Sequence, residues 1–496
     1  MKILVTGGTG VVGAGVIPEL LARGHEVRVL SRNADEDARR WQNVEPVAGD
    51  VSDAMSLRSA VATCEAVVHI AGIVAEQPPE VTFDKVNVQG TRNVVDEAVR
   101  SGMTRFIFMS SLGADRGSTD YHRSKREAEE IVRAANLQWT ILRPGNVYGP
   151  GDEVISTILK MIRALPVIPV LAADEHRFQP IWFSDLGKAT AAVIEQNDLA
   201  GQTLELAGPD VTTVNDILAR LGVITGRTPV KVPVPMPVAT FAAKVAGYAA
   251  DIPFDDTKLT MLRENNVLAE DSDNVLERLG VAGTPLDEGL RKLADLLPEN
   301  LPENGVGSMQ HKRFWADIAG SPHSPAALMT IFKERVTDLM PIEFASEPGV
   351  PTTIQRGVTM TGALPLRGHF QVRVEVSEPT RVVFATLEGH PLAGIVEFTT
   401  SATQTGVRFA IDTWTRASNI VDYLAMKTVG EPSQSANWRT VVENVVEASG
   451  GTSDGVETQS QKLDEEEAEL AAERIRSMIQ SRQRTESASD ERAAKR

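Results

Sequence analysis

The stretch KILVTGGTGVVGAGVIPELLA at residues 2–22 constrains this chain more than any other. A short strand-forming run leads into Gly7, Gly10 and Gly13, and apolar residues at helical spacing follow at once. Glycines at such a junction let the backbone turn tightly and approach a pyrophosphate, whose charge meets the amide groups and positive dipole of a helix start. Alone, the triplet would equally suit a packing turn that binds nothing. Its place between a strand and a helix, at the head of an alternating α/β region, points to nucleotide binding.

That alternation runs from residue 1 to about 145. KILVT, EVRVL, VEPVAG, AVVHIAG, RFIFMSS and WTILRPG read as strands, and residues 11–24, 53–63, 82–102 and 121–136 carry helical periodicity between them. Strands this apolar belong to a parallel sheet covered on both faces, so the predicted class is α/β with a doubly wound sheet.

Two further features carry chemistry. Ser31 and Arg32 end the second strand, where an acidic residue would hold the ribose of NAD. A guanidinium there suits a 2′-phosphate, so NADP is the expected cofactor. NAD stays open, because Asp35 is close by and Arg32 also reads as an ordinary loop arginine. Tyr121 and Lys125 in YHRSK stand at i and i+4, on one face of a helix. An ammonium beside a phenol favours phenolate, and the phenol can protonate a carbonyl that receives hydride. Ser110 or Ser111, at the end of the preceding strand, supplies a hydroxyl to the same oxygen. A Tyr and a Lys four apart are by themselves a common surface pair; their position after the fifth strand gives them weight.

TGGTGVVG, GDVSD, HIAG, VNVQGTRN, MSSLG, YHRSK and LRPGNVYGPGD follow one another in the order of the extended and atypical short-chain dehydrogenases/reductases, which residues 1–200 resemble. The resemblance implies a Rossmann-type fold in which Gly7, Gly10 and Gly13 cradle the pyrophosphate and Asp50 and Val51 face the adenine. Ala71 and Gly72 would line the ribose and nicotinamide side, and Asn87 would brace the central helix. It further implies Ser111, Tyr121 and Lys125 as the catalytic set, with Ser110 the alternative serine and Lys125 also holding the nicotinamide ribose. Pro144, Gly145, Asn146 and Val147 would close over the nicotinamide. Only nine residues separate Ser111 from Tyr121. This short form is similar to the atypical branch related to the dehydrogenase-like accessory subunit of respiratory complex I, in which nucleotide is bound without established turnover.

Residues 150 to about 300 read as a substrate-side lobe of a domain spanning 1–300, with VPVPMPV at 232–238 a rigid connector and LPENLPENGVGS at 297–308 an interdomain linker. Period-2 segments between 353 and 417, flanked by helices at 323–340 and 434–448, predict an α+β domain over 310–450 with an antiparallel sheet. This order resembles the START or polyketide-cyclase-like helix-grip fold, which often encloses apolar ligands. The tail at 451–496 is dense in charge, and Leu463, Leu470, Ile475, Met478 and Ile479 form a narrow stripe. It is expected as a partner helix or as a disordered segment.

The 67 acidic and 50 basic residues give a net charge of −17, which disfavours nucleic acid. Cys64 is the one cysteine, so neither an internal disulfide nor a cysteine zinc site can form, and a cytoplasmic protein is expected. No apolar run reaches the ~18 residues of a transmembrane segment. His69 reads as a packing residue or backbone partner and His390 as structural, His122 is expected to point away from the catalytic pair, and no metal site is expected. The resulting expectation is an NADP-preferring oxidoreductase acting on a carbonyl or alcohol of a small, apolar molecule. An epimerase or dehydratase would use the same hydride chemistry. The alternative is a nucleotide-binding scaffold or assembly factor that meets a protein partner through its C-terminal domain or tail.

Overall fold

The structure is a computed structural model that describes residues 1–34, 41, 43–164, 167–171, 176–227, 229–234, 266–269, 274–295, 299–346, 353–364, 368–388, 390–418 and 431–494. Asp35 and most of the 232–238 connector lie outside these residues. The chain divides into two compact units, one of Met1–Leu159, Pro169–Leu221 and Lys231–Leu293, the other of Lys160–Ile168, Gly222–Val230 and Ala294–Arg496.

In the first unit, β1 (Lys2–Thr6), β2 (Glu26–Ser31), β3 (Val44–Ala48), β4 (Ala66–His69), β5 (Arg105–Met109), β6 (Gln138–Pro144) and β10 (Gln202–Leu206) form one sheet. Its order is β10-β6-β5-β4-β1-β2-β3, and every pairing is parallel. The doubly wound α/β expectation therefore holds, with β10 as a strand additional to the six read from the sequence. Alternate residues of each strand serve opposite faces. Ile3, Val5, Val29, Val68 and Ile107 pack with α1 (Val11–Ala22) and α6 (Phe183–Glu195). Leu4, Leu30, Val67, Phe106 and Phe108 pack on the other side with α2 (Ala54–Val61), α3 (Gly90–Arg100) and α4 (Asp120–Ala134). Burial on both faces is why the central strands β1 and β4 are nearly continuous apolar runs, whereas the edge strand β3 is only partly buried. α1 and α6 touch backbone to backbone, since a Cβ at Gly15 would lie 2.1 Å from the Phe183 carbonyl oxygen and one at Gly187 2.1 Å from that of Gly15. The strand order reverses between β1 and β4, which opens a crevice at their C-terminal ends.

The lobe after β6 holds β7 (Val147–Tyr148) paired with β9 (Ile181–Trp182), β8 (Val167–Leu171) paired with β11 (Val230–Val234), and helices α5 (Ile155–Ala164), α7 (Val214–Thr225) and α8 (Leu286–Asp295).

The second unit is built on an eight-stranded, antiparallel sheet ordered β13-β14-β15-β16-β17-β18-β12-β19. These strands are β12 (Val306–Ala319), β13 (Phe344–Ser346), β14 (Thr359–Leu364), β15 (Gly368–Glu378), β16 (Arg381–Thr386), β17 (Leu392–Ala402), β18 (Gly406–Ala417) and β19 (Glu457–Lys462). β12 starts inside the stretch read as a linker. Pro302, Gly305 and Gly307 mask its onset, yet Phe314, Ala316 and Ile318 alternate into the core and the strand pairs with β18 from Val306 to Ala319. Helices α9 (Pro325–Glu334), α10 (Val336–Leu339) and α11 (Glu431–Ala448) cover one face through Leu328, Phe332, Val336, Val441 and Val445.

The stretch read as a charged tail contributes β19, at the sheet edge beside β12, and α12 (Glu465–Ala494). Ile475 and Ile479 of α12 pack on Met309, Val383, Ala385 and Ile395 of the sheet. Arginines supplement this narrow stripe. Arg474 pairs with Glu397 at 2.6 Å and lies over the Trp414 ring, while Arg482 pairs with the fully buried Glu375 at 2.8 Å.

Candidate functional site

The crevice begins where β1 ends. Gly7 has φ +72°, and a Cβ there would lie 2.6 Å from the Ala71 amide nitrogen, so conformation and space both demand glycine. Gly13 seats α1 against the turn, since its Cβ would come within 2.3 Å of the Gly8 carbonyl oxygen. Gly10 differs: a Cβ would meet only the Gly7 carbonyl oxygen, at 3.8 Å. It is also the N-cap of α1, with no side-chain cap and no acidic residue in the first turn. An open approach to a helix start without competing carboxylates fits a dinucleotide pyrophosphate.

Across the crevice, β4 runs into Ala71 and Gly72. His69 is buried, and burial together with the Lys125 charge pushes its pKa down to about 3, so the ring is neutral. Its tautomer follows from its partners. The Thr91 hydroxyl donates to the Asn87 carbonyl at 2.7 Å, so its oxygen accepts from His69 Nε2, 3.0 Å away. The Thr6 hydroxyl accepts from the Ala71 amide at 3.3 Å and donates to Nδ1 at 2.6 Å. His69 thus ties β1, β4 and α3 together.

A Cβ at Gly72 would lie 3.2 Å from both Asn87 Oδ1 and Lys125 Nζ, which places these two side chains beside the β4 loop. Asn87 sits in a π-helical turn, Asp84–Gln89, ahead of α3. Its Nδ2 donates to the Ile73 carbonyl and the Ser124 hydroxyl at 3.0 Å, and its Oδ1 accepts from the Ile73 amide at 2.8 Å.

Tyr121 and Lys125 both project from α4 into the protein and are buried. Thr119 caps this helix by accepting from the His122 amide at 3.2 Å. Burial pushes the Tyr121 phenol above its ordinary pKa, and the hydrogen bond with Ser111 only partly offsets it. Lys125 Nζ donates to the Met109 carbonyl at 2.9 Å, and burial pushes its pKa down to about 8, with Glu129 opposing. The lysine is therefore an ammonium at neutral pH, held to the end of β5 and not to the phenol.

Ser110 and Ser111 have different tasks. The Ser110 hydroxyl donates to Glu129 Oε1 at 2.6 Å, whereas Ser111 meets Tyr121. Glu129 is fully buried and also accepts from Arg143 Nε and Nη2 at 2.8 Å each and from Arg133 at 2.7 Å. Burial pushes its carboxyl up, but the bonds from Arg143, Ser110 and Arg133 outweigh this and hold it below the usual range. Neither Glu129 nor Arg143 stands out in the sequence: the signals are a glutamate four residues beyond Lys125 and an arginine inside LRPGNVYGPGD.

The remaining cofactor candidates follow β2, β3 and β6. Arg32 is exposed just after β2. Asp50 Oδ1 accepts from the Ser52 amide and hydroxyl at 2.8 Å, and the Val51 carbonyl accepts from Asn93 at 2.9 Å. Pro144 ends β6, and the Gly145 amide donates to Leu206 at 2.8 Å. Asn146 Oδ1 accepts from Asn266 at 2.9 Å, and Val147 pairs with Ile181. His122 lies edge-on to Tyr121, and His390 hydrogen-bonds the backbone of Leu392. Among the described residues, no cluster of three or more His, Cys, Asp or Glu side chains could hold a metal, and no helix is long and apolar enough to cross a membrane.

Residues 7–157 match a family model described as NAD(P)H-binding. The chain is 36% identical over 173 residues to the ceramide reductase of Caulobacter vibrioides, covering 34% of this chain and 54% of that protein. It is 36% identical over 175 residues to sterol demethylase protein B of Methylococcus capsulatus, covering 31% and 53%. Against the mitochondrial NADH dehydrogenase [ubiquinone] 1 alpha subcomplex subunit 9 of Arabidopsis thaliana it is 26% identical over 288 residues, covering 55% and 71%. The chain thus spans about half the length of the first two relatives.

Proposed function

We propose that an NAD(P)-binding Rossmann-type unit serves here as an oxidoreductase, NADP-preferring, that interconverts a carbonyl and an alcohol on an apolar, lipid-like molecule. The observation that carries this reading is the convergence of Ser111, Tyr121 and Lys125, all buried, at the C-terminal end of the same sheet whose first turn leaves Gly10 open. The dinucleotide, when bound, supplies or accepts the hydride. Gly7, Gly10 and Gly13 seat its pyrophosphate, Asp50 and Val51 its adenine, Arg32 the 2′-phosphate, and Pro144 through Val147 close over the nicotinamide. Tyr121 Oη donates its proton to the carbonyl oxygen, and the Ser111 hydroxyl orients that oxygen. A phenol above its ordinary pKa is protonated at neutral pH and so ready to act as acid in the reductive direction. Lys125, an ammonium released from the Met109 carbonyl, holds the ribose and stabilises the phenolate left behind. Two relatives whose names refer to ceramide and sterol favour a lipid-like substrate.

In the second unit, the order among the described residues from β12 to α11, strand, two helices, six strands and helix, favours the START or polyketide-cyclase-like reading and hence an apolar ligand for that unit too.

A nucleotide-binding scaffold is the second reading. It is favoured by the Lys125 bond to Met109, which leaves the phenol unactivated, and by similarity to the NADH dehydrogenase subunit. Tyr121→Phe separates the two. On the oxidoreductase reading, NADPH binding survives while reduction of long-chain or sterol ketones falls ~10²- to 10⁴-fold, the usual contribution of a general acid. Should the unaltered protein oxidise NADPH with none of these ketones, or the variant turn over at the native rate, the enzyme reading fails.

A further inference from the structure

We propose that Glu129 is a positioning residue for the Tyr121–Lys125 pair: its buried carboxylate holds the strand end that carries Ser111 and keeps an anion one helical turn beyond Lys125, so that the lysine meets the nucleotide as an ammonium. This rests on the oxidoreductase reading above.

Glu129 lies four residues after Lys125 and eight after Tyr121, on the same buried face of α4. Its two oxygens take four donated hydrogen bonds, from Ser110, from two nitrogens of Arg143 and from Arg133, all between 2.6 and 2.8 Å. Ser110 belongs to the segment after β5 that accompanies β6, with its amide donating to Leu142 at 2.7 Å and that of Leu112 to Pro144 at 2.8 Å. Glu129 thereby fixes the residue next to Ser111 from the helix side, while the Leu142 carbonyl holds the same residue from β6. Lys125 needs such an anion. It is withdrawn from water, and the partners that meet Nζ among the described residues are neutral: the Met109 carbonyl and the Phe108 ring, 5.2 Å from Nζ.

The titratable groups around the pair are few. His69 on β4 is uncharged, Tyr121 is protonated, and the Glu153 carboxylate pushes the Tyr121 phenol further up. Facing Glu129 are Arg143 from β6 and Arg133 from α4, and Arg143 in turn meets Asp115 at 2.6 Å and Glu205 of β10 at 3.6 Å. Replacing Glu129 by glutamine keeps the shape and an acceptor for Ser110 but removes the charge that opposes deprotonation of Lys125.

The test is the pH dependence of NADPH affinity, followed by fluorescence from pH 6 to 9.5 in the full chain. Native affinity falls as Lys125 loses its proton near pH 8. In Glu129→Gln this fall begins about one pH unit lower, with affinity at pH 6 within about twofold of native, and Glu129→Asp returns it toward the native position. A variant that loses affinity equally at every pH, or only melts earlier, shows a purely structural glutamate and overturns the proposal. Should Glu129→Gln not fold, lysine-selective NMR of the unaltered protein decides. A Lys125 resonance, assigned with Lys125→Arg, that titrates above about pH 7 supports the proposal, and one that titrates below it overturns it. If the unaltered protein binds no NADPH at any pH, the oxidoreductase reading falls, and the same NMR titration still decides the role of Glu129.

Discussion

Gly10 and Gly13 lie three residues apart in one turn, and the geometry assigns them opposite responses to the same methyl group. Gly10 has φ −81° and ψ 177°, open to any residue, and its Cβ would find only one atom, 3.8 Å away. In Gly10→Ala the stiffer unfolded chain stabilises by about 0.4–1 kcal/mol, while alanine serves less well than glycine as N-cap by a similar amount. The two effects offset, so the melting temperature should stay near native. The methyl group does project into the approach to the α1 amides, and NADPH affinity should fall at least tenfold, about 1.4 kcal/mol. Gly13→Ala should do the reverse first. Its Cβ would sit 2.3 to 2.5 Å from three backbone atoms of Gly8, an overlap that no rotamer relieves, and overpacking of this kind costs about 1–3 kcal/mol or more. Circular-dichroism melting without ligand, paired with NADPH titration by calorimetry, separates the two. If Gly10→Ala binds NADPH as the native chain does, the open side of the turn is not where the pyrophosphate lies. If Gly13→Ala melts like the native chain, the packing argument is wrong.

Arg32→Ala should reduce the preference for NADPH over NADH by removing the phosphate partner, and equal affinities in the unaltered protein would dispose of that role. Glu375 yields a stability prediction in the second unit. Burial pushes its carboxyl up to about 7 from an ordinary 4.5, so the folded chain holds this proton more tightly than the unfolded one. Its contribution is complete below pH 4.5 and is lost as pH rises through 7. Glu375→Gln should therefore gain on the native chain at pH 8 relative to pH 5, by less than the ~3 kcal/mol the displacement corresponds to, because the bond to Arg482 weakens. Urea denaturation giving the same difference at both pH values would refute the assignment.

What the sequence determined by itself is local. Strand and helix periods in the first 145 residues, the strand-to-helix setting of Gly7, Gly10 and Gly13, and the i, i+4 spacing of Tyr121 and Lys125 each depend on a few neighbouring residues. The sheet class followed from them, because burial on both faces explains runs as apolar as ILV in β1 and AVV in β4. The tertiary structure decided which partners these residues meet. Ser110 and Ser111 are alike in sequence, and only the fold brings Glu129, 19 residues on, to the first. Whether Gly10 or Gly13 faces open space depends on where the Gly8 carbonyl lies. β12 was hidden because Pro302, Gly305 and Gly307 dominate its surroundings, while the strand that pairs it, β18, begins at Gly406. The last helix was legible only as one of two alternatives because its apolar stripe is narrow, and its packing on this chain's own sheet was not legible at all. Its arginines complete the seam with Glu397, 77 residues away, and Glu375, 107 away. A hydrophobic period records how an element faces its core. An ion pair or ladder between distant segments leaves no period in either, so only the assembled chain reveals it.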